Sequence, residues 1–123
     1  MFIKLLFLML SSHCFADTIL QIPSIGYGKN RHKEIDLSRV PKGQKPVNIW
    51  YIWLTHHAII HGFTLALILK IFGFGQFWWV GILETFTHWI IDFFKCDNVY
   101  GQRMDQALHL LMKVLYIGII VLK

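Results

Sequence analysis

Glu84-Thr-Phe-Thr-His88-Trp-Ile-Ile-Asp92-Phe-Phe-Lys95 is the stretch on which the reading of the fold turns. It lies in the most aromatic and apolar part of the chain, and its ionisable residues Glu84, His88 and Asp92 recur at every fourth position. On a helix that spacing stacks them on one face. Thr85, Phe86, Trp89, Ile90, Ile91, Phe93 and Phe94 cover the rest of the surface. A stripe of acid and imidazole on a greasy helix is costly against lipid, so the pattern marks a functional site turned toward other protein.

Working outward, the same device recurs on every apolar segment. His13 and Asp17, His57 and His61, His88 and Asp92, and Asp105 and His109 are all pairs four residues apart. The apolar segments run over about 2–21, 47–72, 76–95 and 103–122, separated by a long hydrophilic stretch at 23–46, by Gly73-Phe74-Gly75, and by the loop around Asp97, Asn98 and Gly101. This predicts an all-α integral membrane bundle of four helices forming a single domain. A hydrophobic content of 55% with only 15% charged residues among 123 supports the membrane class over a soluble domain. Pro23 to Pro46 is broken by Gly26, Gly28, Pro41, Gly43 and Pro46 and reads as a loop, with a short helical turn near Glu34 to Ser38.

The charge is equally organised. Much of the +5 net charge lies between Lys29 and Lys45, where Lys29, Arg31, Lys33, Arg39, Lys42 and Lys45 outnumber Glu34 and Asp36. These residues flank apolar spans, so they read as topology signals and not as a nucleic-acid footprint; no nucleic-acid partner is expected. With Lys95 and Arg103 in the third loop and only Lys70 beside the second, the first and third loops face the cytoplasm of a bacterial inner membrane and both termini face outward. The membrane's own lipids are the expected partners, with anionic headgroups drawn to the basic loop. A rival reading makes residues 1–16 a signal peptide cut after Ala16, but it would export the six-charge loop against this bias. Cys14 and Cys96 form neither a CxxC nor a zinc-finger spacing and are expected to be free thiols.

Counted from the first and third loops, all four polar pairs fall within about two to four helical turns. They therefore share a depth in the cytoplasmic half, where four helices could converge them on one spot. The candidate metal ligands are His13, Asp17, His57, His61, His88, Asp92, Asp105 and His109, because His-x3-His and His-x3-Asp on a helix aim two donors at one ion. Glu84 and Asp92 are the candidate catalytic carboxylates, as base or bridging ligand. The imidazole and carboxylate mixture favours a divalent zinc, manganese or iron over calcium. His56 lies about 100° from His57 around the helix and is not expected to be a ligand; His32 is expected to be solvated in the loop.

The ordered set His13, Asp17, Leu20-Gln21 and Lys29; His57 and His61; His88, Asp92 and Lys95; Asp105-Gln106 and His109 resembles a family of small bacterial and phage membrane proteins catalogued as a domain of unknown function. The resemblance covers nearly the whole chain and implies a multi-helix membrane protein with the first segment retained as a mature helix; it implies no activity. A looser similarity to bacterial inner-membrane proteins described as metal-dependent hydrolases rests on His-rich membrane helices alone and is an analogy. Three functions are weighed: a membrane metal-binding protein, with metal-dependent hydrolysis at the cytoplasmic leaflet; a metal-ion or proton conduit, disfavoured by the apolar stretches Leu65 to Phe72 and Ile117 to Leu122; and a small non-enzymatic interaction protein. Oligomeric state is not legible from the chain.

Overall fold

In the computed structural model, which describes residues 1–122, the protein is all-helical, with no strand among those residues. Helix α1 spans Phe2–Phe15 and runs without interruption into a π-helical turn at Ala16–Leu20. Proline then ends it: Pro23 forbids helical geometry at the preceding residue, and Ile22 is extended at φ −65°, ψ 153°. The same proline starts a short helix, α2, over Pro23–Gly28. The expectation of an irregular segment beginning at residue 23 is thus corrected, and five helices replace the anticipated four. Within the remaining loop a single 3-10 turn forms at Leu37–Arg39, where the Asp36 carboxylate accepts from the Ser38 amide at 3.1 Å.

Helix α3 runs over Trp50–Ile71, α4 over Trp79–Cys96 and α5 over Gln102–Val121. The turn between α3 and α4 needs glycine at residue 73, whose φ is +85°, and a 3-10 turn at Gly75–Phe77 delays the start of α4. Asn98 takes the left-handed conformation in the turn before α5.

The four longer helices close a ring in which α1 packs on α3 and α5, and α4 packs on α3 and α5, with the α3–α4 contact the most extensive. Glycine explains that intimacy. A Cβ on Gly62 would lie 2.3 Å from the Gly81 carbonyl oxygen, and one on Gly81 would lie 2.4 Å from that of Gly62. The two backbones meet where neither residue has a side chain.

The ring is divided along its length. At the end nearer the α3–α4 turn, Leu5, Met9, Leu65, Leu69, Val80, Ile117 and Ile120 form a closed apolar core with Tyr116. At the other end the interior is polar, while large apolar side chains such as Phe7, Phe63, Phe86 and Leu111 face outward. Buried charge inside and exposed phenylalanine outside invert the arrangement of a water-soluble bundle. Three helical stretches, Phe2–Leu20, Trp50–Ile71 and Gln102–Val121, are long and apolar enough to cross a membrane. At about 1.5 Å per residue the 22 residues of α3 extend about 33 Å, the scale of a bilayer's hydrocarbon core. Helix α4 is not among the three, because it carries Glu84, Asp92 and Lys95 within 18 residues. It is instead the polar spine around which the apolar helices are arranged.

Candidate metal centre

Each four-residue repeat delivers its side chains to the ring's interior. His13, His57, His61, Glu84, His88, Asp92, Asp105 and His109 are all buried, and Asp17 is partly so. The imidazoles of His61 and His88 stack with centroids 3.6 Å apart, those of His88 and His109 with centroids 4.2 Å apart. His57 lies 4.9 Å from His88, and His13 lies 5.0 Å from His61, completing a five-ring cluster centred on His88.

The donor atoms point at one another. His57 Nε2 and His88 Nε2 are 3.1 Å apart. His61 Nε2 is 3.1 Å and His57 Nε2 3.6 Å from Asp17 Oδ1. Asp92 gathers a second group: His57 Nε2 at 3.3 Å from Oδ2, and His109 Nε2 at 3.3 Å from Oδ1. Four ligands held about 2.05 Å from a tetrahedral cation stand about 3.3 Å from each other. The observed separations are of that size. Among the described residues three sets of donors lie within 4.8 Å of one another: His13, His61, Glu84 and His88; Asp17, His57, His61 and His88; and His88, Asp92 and His109. These groups could hold a metal ion.

The fit is supported by what the ring nitrogens lack. His13 Nδ1, His57 Nδ1 and His61 Nδ1 are buried without a hydrogen-bond partner in the protein. Unpaired buried nitrogens are costly, and imidazole nitrogen with carboxylate oxygen is the donor mixture of first-row divalent ions. Asp105 belongs to none of the three sets. Its carboxylate pairs with Lys95 Nζ at 3.0 Å and stands 3.6 Å from His109 Nε2, the nitrogen that also faces Asp92. Glu84 orients His88 through the ring's other nitrogen: Nδ1 is 3.4 Å from Glu84 Oε1.

Three carboxylates of the cluster are matched by lysines. Lys113 pairs with Glu84 beneath the histidines, Lys95 with Asp105, and Lys29 reaches from the end of α2 to within 2.5 Å of Asp92 Oδ2. Among the described residues Asp17 is paired with imidazoles alone. Lys113 escaped the sequence reading although it continues the stripe Asp105, His109 by one further turn. Lys29 could be placed only by the fold, since 63 positions separate it from Asp92. His56 is exposed on the outer face of α3 and takes no part.

Lys29 is held in place by a clasp between the first and third loops. Arg31 donates from Nε and Nη2 to the two oxygens of Asp97 at 2.8 and 2.6 Å, and stands 4.9 Å from the Phe93 ring. His32, expected to be solvated, lies 2.9 Å from the same carboxylate while keeping half of its side chain exposed. The hydrogen bond to His32 and the guanidinium of Arg31 hold the Asp97 carboxyl below its usual value of 3.8. A depressed carboxylate stabilises the fold fully above that usual value and loses its contribution as pH falls through the lower one. The melting-temperature difference between wild type and Asp97→Asn is therefore expected to shrink as pH falls below about 4, as thermal unfolding in detergent will read; a difference that keeps its full size down to about pH 2 would contradict the clasp.

A polar cavity of about 490 Å³ opens beside the clasp and meets the cluster at its carboxylates. Asp17, Asp92 and Asp105 line its walls, whereas Glu84 does not. Cys14 and Cys96 are both free thiols. Comparison of the chain with protein-family models, with curated proteins and with solved structures returns no match, so the functional reading rests on the geometry of the site.

Proposed function

We propose that the protein is a multi-pass membrane protein whose bundle binds a divalent cation, and that it is a metal-dependent hydrolase working at the membrane face where its first and third loops meet. One observation carries this: five imidazoles and three carboxylates from four helices lie at ligand separations, and two of those carboxylates, Asp17 and Asp92, line a polar cavity. The inverted bundle, greasy outside and charged within, supports the membrane placement. The basic loop supports a cytoplasmic position for that face.

Asp17, His57, His61 and His88 form the ligand set we favour, because among the described residues Asp17 is the one carboxylate of the cluster with no lysine against it. A divalent cation supplies Lewis acidity toward a carbonyl or phosphoryl oxygen. Asp92 is the better placed of the two candidate bases, because it lines the cavity and Glu84 does not. Glu84, sealed beneath the histidines against Lys113, positions His88. The closed apolar core at the other end of the ring argues against the conduit alternative.

Metal analysis of protein purified in neutral detergent tests the reading. Wild type and His56→Ala should carry zinc, manganese or iron near one equivalent, and His61→Ala and His88→Ala should lose most of it. Background metal in wild type, with no recovery after incubation with each ion, would end the proposal. Stoichiometric metal with no hydrolysis of carboxylic or phosphoric esters would remove the hydrolase assignment alone.

A further inference from the structure

The cavity above the cluster has a composition that specifies what enters it. No aliphatic side chain and no phenylalanine or tryptophan lines it. Its walls carry Lys29, Lys33 and Lys95 against Asp17, Asp92 and Asp105, with side-chain amides between them. A volume of about 490 Å³ suits a small molecule or a headgroup, and the lining excludes an acyl chain. Three lysines against three carboxylates leave the walls formally balanced. Moreover, Lys29 and Lys95 are already engaged, by Asp92 at 2.5 Å and Asp105 at 3.0 Å. Without a cation the cavity has no net attraction for an anion.

A divalent cation held by Asp17 and its neighbouring histidines changes that balance. Two positive charges are added at the floor, and the wall is left with an excess matching a dianion. Lys33, which lies 4.7 Å from the Tyr27 ring and has no carboxylate partner among the described residues, is free to contact the ligand. We propose that this cavity binds a phosphate monoester group, and that it does so only with the metal in place. The proposal rests on the metal reading above and adds the substrate class to it. The same group is offered by a soluble phosphate monoester or by the headgroup of a phosphatidate lipid.

Calorimetric titration of the whole protein in neutral detergent separates the two claims. Manganese(II) is titrated first into chelator-stripped protein; inorganic phosphate is then titrated into stripped and manganese-loaded samples. Phosphate should bind the loaded protein about tenfold or more tightly than the stripped one, and reciprocally should tighten manganese binding by the same factor. Lys33→Gln should weaken phosphate about fivefold with manganese affinity unchanged, a separation that a misfolded variant would not give. Manganese binding accompanied by equal or undetectable phosphate binding in both samples overturns this inference and leaves the metal reading standing; absence of manganese binding overturns both. In nanodiscs, loss of phosphate binding on replacing phosphatidylcholine with phosphatidate assigns the site to the lipid headgroup, and retention assigns it to a soluble ligand.

Discussion

Replacing Lys113 with methionine should destabilise the folded bundle by about 3–5 kcal/mol, and adding Glu84→Gln to that variant should return most of the loss. Both side chains are 2% exposed, and they pair directly in the floor of the histidine cluster. Removing the ammonium alone leaves a carboxylate in a water-poor interior with no cation against it, only His88 Nδ1, 3.4 Å away, and the Tyr116 hydroxyl among the described residues. Removing both charges eliminates the need for either. Unfolding of the two single variants and the double in mixed detergent gives the coupling energy of the pair. Additive losses would show that the ammonium and carboxylate act independently. The double variant should still bind metal about tenfold more weakly than wild type, because a neutral amide supports the basicity of His88 less than a carboxylate does.

The second large effect is expected at the α3–α4 contact. Alanine at residue 62 would place its Cβ 2.0 Å from Thr85 Oγ1 and 2.3 Å from the Gly81 carbonyl oxygen. The threonine can rotate; the carbonyl belongs to the opposing backbone and cannot. The helices must therefore separate, at a cost of about 1–3 kcal/mol for one inserted methyl group. His57 and His61 ride on α3 and His88 and Asp92 on α4, so that movement widens every donor separation that bridges the two helices. Metal affinity should fall about 10–100-fold, the range seen when the support of a metal site is disturbed. Gly118→Ala is the control, because a Cβ there meets nothing within 4 Å. Equal metal binding by Gly62→Ala and wild type would show that the close approach does not set the geometry of the site.

Much of the cluster was legible before any coordinates, and for a definite reason. A helix repeats its face every three to four residues, so His57 with His61, or His88 with Asp92, announces a shared direction without knowledge of the tertiary fold. The common depth of the four pairs then follows from counting back to the loops. Lys113 obeys the same rule, since it stands four residues after His109, but a lysine among leucine, methionine and valine names no partner by itself. The fold had to supply the rest. Nothing local links Lys29 to Asp92 or Arg31 to Asp97, because both pairs form only once the basic segment lies across the ends of α3 and α4. The short helix α2 was hidden by two glycines, Gly26 and Gly28, although Pro23 stands at the position that commonly opens a helix. Gly28 is needed there for another reason: a Cβ would lie 2.5 Å from the Trp53 ring.

The leucine and isoleucine floor beneath the histidines has a physiological consequence. Water that descends the cavity would meet the rings and the Glu84–Lys113 pair, and beyond them side chains such as Leu69, Val80 and Ile120 that carry no proton. In the proposed membrane placement, that floor would let a cell hold the protein in an energised bilayer without draining the voltage on which its ATP synthesis depends. A visitor that reached the cluster through the cavity would then come and go on one side, and the compartment there would feel the result.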